Sequence, residues 1–236
     1  MKTLKSLIIL ALVAVVGIST TYAGNSDKKE IRKLKDFNSI KVSTGIDLYL
    51  TMGETEEVKI VADDDIIDDL KTEVKNGTLH IYMKQNNWFN WTGNKTRKAY
   101  VTVKELEEIV ASSGSDVKSE NTLEGESLDV RTSSGSDVDI EVFYKNFSID
   151  ASSGSDAEIS GKVKFLTAEA SSGSDIDAHK LESKICKVRA SSGSDITVTV
   201  TDELYAKASS GADIRYYGNP QTRDTDESSG GDIRRK

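Results

Sequence analysis

Six near-identical hexapeptides recur through the second half of this chain, and a seventh, degraded copy closes it. They occupy residues 111–116, 132–137, 151–156, 170–175, 190–195 and 208–213, and each carries Ser-Ser-Gly, then a small residue, then Asp. The closing copy, 227–232, reads Glu-Ser-Ser-Gly-Gly-Asp. The glycines Gly114, Gly135, Gly154, Gly173, Gly193, Gly211 and Gly230 are spaced 21, 19, 19, 20, 18 and 19 residues apart. A period near twenty, held over seven copies, means that one structural unit stacks on itself.

Aligning the units shows which way each side chain points. The small position holds Ser115, Ser136, Ser155, Ser174, Ser194, Ala212 and Gly231. Two residues on stand Val117, Val138, Ala157, Ile176, Ile196, Ile214 and Ile233. Side chains alternate across a strand, so small and aliphatic positions share the inner face and the Asp between them faces out. A second strand precedes each hexapeptide, with Leu128, Phe147, Leu166, Cys186 and Leu204 inward. Val130, Ile149, Ala168, Val188 and Ala206 follow on the same face, and Arg131, Asp150, Glu169, Arg189 and Lys207 lie outward. This pattern predicts an all-β fold, a single-stranded, right-handed parallel β-helix of about six coils. Each coil of about twenty residues has a perimeter of roughly 60–65 Å, enough for three short sides, and six layers make a rod of roughly 29 Å. The Ser-Ser-Gly element is the expected corner. The last unit places Arg223, Thr225 and Glu227 in inward slots, as suits a rod that stops without an exposed apolar edge.

Upstream, residues 1–23 read as a secretory signal peptide: a basic start, an apolar run from Leu7 to Ile18, and small residues up to Ala23. The run is too short to span a bilayer comfortably, and no membrane span is expected in the mature chain. No cysteine follows directly, which argues against a lipid-modified N-terminus. Residues 24–36 are expected to be a flexible charged segment, 37–105 a β-rich N-terminal cap packed onto the solenoid as its first irregular coils or as a small β layer, and 106–236 the repeat array. Within the cap, Ser43-Thr44-Gly45-Ile46-Asp47 looks like a diverged corner, Asp63 to Leu70 a short capped helix, and Asn76-Gly77 a hairpin turn. Without its leader the chain loses Lys2 and Lys5, leaving 29 of the 31 basic residues against 39 acidic ones, a net charge of −10. Such a surface repels nucleic acid and anionic lipid. The lone cysteine, Cys186, lies on an aliphatic ladder and reads as a buried small hydrophobe.

The opening Phe37-Asn38-Ser39-Ile40-Lys41-Val42-Ser43-Thr44-Gly45-Ile46-Asp47-Leu48 resembles the head GIN domain family, also called "putative autotransporter adhesins", a domain of unknown function. The Asn76-Gly77-Thr78-Leu79 hairpin and the recurrent Ser-Gly-Ser-Asp corners carry the same likeness, which spans 37–233 as one continuous domain. The resemblance implies an exported protein with a parallel β-helix fold, and it supplies no catalytic residues.

Three constellations invite chemistry. Asp116, Asp137, Asp156, Asp175, Asp195 and Asp213 should line one edge about 4.8 Å apart, where neighbours repel by roughly 1 kcal/mol in water. Calcium is the cation such an edge would take. Bonding of each Asp to its own corner's backbone needs no ligand and is the favoured reading. The serines suggest a nucleophile, but nothing places His80 or His179 beside one of them. Trp88, Phe89 and Trp91 lie in a polar loop that suits a sugar or partner surface, or equally a cover for the open end of the core. The expected protein is an exported, non-catalytic cell-envelope or surface module that binds an envelope protein or glycan, without a cofactor, in the periplasm, on the outer surface or outside the cell. Its rivals are a carbohydrate-active enzyme, which needs a non-repeated cluster of acids or bases, and a calcium-stabilised rod.

Overall fold

A computed structural model describes residues 27–84 and 95–236. The array folds as a parallel β-solenoid, and the whole stack has about seven turns. Its body is β10 (Leu123–Ser133), β11 (Asp137–Ser152), β12 (Asp156–Ser171), β13 (Asp175–Ala190) and β14 (Asp195–Ser209), each parallel to the next. Equivalent residues sit over one another: Val138 pairs with Val117 on one side and Ala157 on the other. Leu128, Phe147, Leu166, Cys186 and Leu204 form one buried column, and Val130, Ile149, Ala168, Val188 and Ala206 the next. β15 (Asp213–Tyr217), β16 (Thr222–Ser228) and β17 (Asp232–Arg235) add the last rungs. All of β16 is exposed, Arg223, Thr225 and Glu227 included, so the stack ends on a polar coil.

The corner chemistry is more demanding than glycine alone. In each hexapeptide two successive residues take positive φ, as in Ser153 (59°) and Gly154 (66°). Two left-handed residues in a row swing the chain sharply from one strand into the next, and glycine takes one of the two positions at no steric cost. The diverged corner behaves identically, with Thr44 at 70° and Gly45 at 67°. Gly45 N–H donates to Ser113 O at 3.0 Å, just as Gly114 N–H donates to Ser134 O at 3.1 Å.

Of the two arrangements expected for the N-terminal cap, first coils of the stack or a small β layer, the structure takes the coils, and in an order that departs from the sequence. β2 (Ser39–Ser43) lies between β6 (Thr78–Met83) and β8 (Glu108–Ser112), parallel to both. β3 (Asp47–Met52) likewise lies between β7 (Arg97–Val103) and β9 (Val117–Ser119). Residues 39–52 are therefore inserted between two coils that follow them in the chain. Beyond β6 and β7 the pairing turns antiparallel: β5 (Leu70–Lys75) pairs with β6 across the Asn76-Gly77 turn, and β4 (Glu57–Asp63) pairs with β7. β1 (Asp27–Arg32) then pairs with β4, so residues 27–32 of the segment expected to be flexible form a strand. Its outward charges hid a ladder that needs only backbone donors and acceptors. The helix expected at 63–70 is a run of turns, with Ile66 N–H and Ile67 N–H both donating to Asp63 O at 3.0 and 3.1 Å. Burying Ile66, Ile67 and Leu70 is satisfied by the turns alone.

Candidate functional site

The inward serines are structural. Ser115, Ser136, Ser155, Ser174 and Ser194 are completely buried, so none can meet a substrate. The Ser174 hydroxyl donates to Ala151 O of the preceding rung at 2.8 Å and accepts from Ser171 N–H at 3.1 Å. Ser155 and Ser194 repeat the pattern with Thr132 O at 3.1 Å and Ala170 O at 2.9 Å. Each of these three hydroxyls thus stitches its own corner to the rung below, adding a second bond to backbone groups such as Ala170 O, which also accepts from Ser191 N–H at 3.0 Å. Cys186 is also sealed in the core, and burial pushes its thiol up to about 12.

The aspartates do form an edge. Asp137, Asp156, Asp175, Asp195, Asp213 and Asp232 are direct cross-strand partners, and Asp116 stands one rung before them beside Asp47. Partial burial, and then the charges of Asp137 and Asp47, push the Asp116 carboxyl above its ordinary value. At the far end the edge is neutralised by Arg215, 2.9 Å from both Asp195 and Asp213, while Arg234 pairs with Asp232. One carboxylate binds backbone across the rungs: Asp195 N–H donates to Asp175 Oδ1 at 3.2 Å. That differs from the own-corner bonding read from the sequence, because rung spacing brings the next amide closer. Among the described residues no group of three or more His, Cys, Asp or Glu has the geometry to hold a metal ion.

Trp88, Phe89 and Trp91 lie outside the described residues. Aromatic surface appears elsewhere. Tyr49 and Tyr100, partners across β3 and β7, stack at 4.9 Å, with Lys59 Nζ 4.4 Å from the Tyr100 ring centre. Phe143 is 59% exposed, an apolar ring at an outward position whose rung partners are Glu124 and Lys162. It sits beside a bend. In β11 the inward residues are even-numbered up to Tyr144 and odd-numbered from Phe147, so Lys145 and Asn146 both face away from the core. The signal for Phe143 was present in the sequence, as a hydrophobe between inward Val142 and Tyr144. Tyr144 itself is buried and donates to Leu106 O at 3.0 Å.

These features define a class: a repeat rod whose core is filled by side chains and whose outward ladders carry charge. Residues 36–220 match the family described as "Putative auto-transporter adhesin, head GIN domain", and the chain belongs to it. Solved structures share the fold. A protein from Bacteroides fragilis described as a "putative adhesin" superposes with a TM-score of 0.84 at 21% identity, over 90% of this chain and 98% of that one. A "Putative lipid binding protein" from Parabacteroides distasonis gives 0.73 at 18%, over 91% and 98%. A "putative adhesin" from Parabacteroides merdae gives 0.66 at 18%, over 89% and 96%. Among curated proteins, none matches this sequence. No helix among the described residues is long and apolar enough to cross a membrane.

Proposed function

We propose that this chain is an exported, non-catalytic binding module of the adhesion type, acting in the cell envelope or at the surface on a protein or glycan partner. The observation that carries the reading is the uniformity of its outward ladders, taken with its family. Acids recur at equivalent positions on successive rungs, where a glycosidase needs one unrepeated pair facing one groove. The inward serine ladder is buried and spent on corner hydrogen bonds. A stiff repetitive face suits an extended ligand. The filled core weighs against sequestering a lipid inside the rod, since columns of Leu, Val, Ile and Ala occupy its length.

The test is a binding screen of the purified mature chain against glycans and envelope fractions, run beside a polysaccharide panel assayed for new reducing ends and unsaturated sugars. Retention on an envelope glycan or protein without turnover is the expected result. Turnover of any polysaccharide would replace the reading with an enzymatic one. Fractionation of cells expressing the full chain checks export, and a cytoplasmic product would contradict it.

A further inference from the structure

The bend beside Phe143 gathers positive charge in an acidic chain of net charge −8. Lys164 stands between Lys145 and Lys184 on neighbouring rungs, because Tyr144 pairs with Val163 and Val163 with Ser183 immediately before them. A fourth lysine, Lys162, is the rung partner of Phe143. Lys145 and Lys162 are engaged by Glu126 at 2.5 Å and Glu182 at 2.6 Å. Among the described residues Lys164 has only the Phe165 ring, 4.9 Å from its Nζ, and Lys184 has no carboxylate partner. Like charges on adjacent rungs repel, and of the three lysines in the ladder Lys145 alone is paired with a carboxylate among the described residues, so the cost is offset only at that rung. Between the lysines and Phe143 runs a groove of about 320 Å³, floored by Gly125, Tyr144 and Val163.

A flat apolar ring beside a row of ammonium groups matches one ligand chemistry well. The C–H face of a sugar packs on the aromatic ring, and carboxylates on successive sugars meet successive lysines. A bilayer is the poorer fit, because a groove beside a single exposed ring offers little apolar surface to insert. We infer that this groove seats an anionic, uronate-type polysaccharide lying along the rod. The inference rests on the binding-module reading and gives that module its site and ligand class. Exposed ion pairs are individually weak, so binding depends on several at once and falls as salt rises.

Polygalacturonate is the direct probe, with fully methyl-esterified pectin as the same backbone without charge, and phosphatidylglycerol vesicles as an anionic lipid surface. The intact mature chain should bind polygalacturonate at low salt and bind neither the ester nor the vesicles. Lys164→Glu/Lys184→Glu should weaken binding at least about tenfold, and Phe143→Ala should weaken it with its lysines intact. Asp156→Ala, on the acidic edge, should leave it unchanged. Melting curves of every variant show that the rod still folds; Lys164→Ala/Lys184→Ala serves if the reversal does not. Equal binding of the ester, preference for vesicles, or full binding by the lysine variants would each overturn the inference. No binding of polygalacturonate would also overturn it, while an envelope ligand found in the broader screen would leave the module reading standing.

Discussion

At the residue scale, the corner depends on Ser174 and its equivalents more than on any charged group. Replacing Ser174 by Ala removes a buried hydroxyl that bonds Ala151 O, Ser171 O and Ser171 N–H. The expected cost is about 1–2 kcal/mol, read as a lower urea midpoint, with Ser174→Thr no remedy because the inner slot is full. Ala212 shows how the fold dispenses with the hydroxyl: its own N–H bonds Ser209 O at 3.3 Å, and it lies near the end of the stack. Glycines divide into two kinds. Gly154 has open space where a Cβ would stand, so Gly154→Ala meets only the left-handed backbone penalty, about 1 kcal/mol. At Gly161, φ is 113° and a Cβ would lie 2.0 Å from Val142 O. Gly161→Ala therefore breaks the rung contact, at roughly 3–5 kcal/mol. Equal midpoints for these two variants would refute the distinction. The sequence marked Gly154 by its repetition and gave no sign of Gly161, whose constraint comes from a neighbouring coil.

At the element scale, strands were legible because parity repeats. Inward Leu166, Ala168 and Ala170 could be read directly, and all three are buried. What parity could not reveal was pairing order. β2 carries the same alternation whether it follows or precedes β6, and only the three-dimensional stack places it between β6 and β8. The acidic edge makes its own prediction. With its folded-state value raised, Asp116 holds a proton that the unfolded chain has already released, so the stability it contributes is present at low pH and is lost as pH rises through that raised value. Asp116→Asn should therefore melt higher than the unaltered chain at neutral pH. The gap should narrow on acidification and close below the ordinary carboxylate range. Added salt should shrink it as well, by screening Asp137 and Asp47. A gap independent of pH would show that neither burial nor the charges of Asp137 and Asp47 raise the Asp116 carboxyl in the folded chain.

At the scale of the whole molecule, both ends of the rod are managed. At the C-terminal end β16 is polar and exposed throughout, and the N-terminal side turns antiparallel through β5, β4 and β1. Such closures block edge-to-edge assembly of an otherwise open sheet. The polar ending could be read from Arg223, Thr225 and Glu227. On the antiparallel side the Asn76-Gly77 hairpin could be read, but the pairings of β4 with β7 and of β1 with β4 could not, because strand direction leaves no mark on composition. Binding chemistry was less legible still. The sequence drew attention to repeated Asp and Ser, whereas the basic groove arises from lysines that face one another only after the coils stack in register.

That stacking can be measured along one outward column: Lys118, Asp139, Glu158, Asp177, Thr197, Arg215 and Arg234 are successive rung partners. Spin labels on Lys118→Cys/Thr197→Cys and on Lys118→Cys/Arg234→Cys, with native Cys186 buried, report the spacing by pulsed dipolar spectroscopy. One layer per repeat predicts backbone separations of about 19 Å and about 29 Å. Distances that fail to grow by one layer for each added repeat would contradict the account.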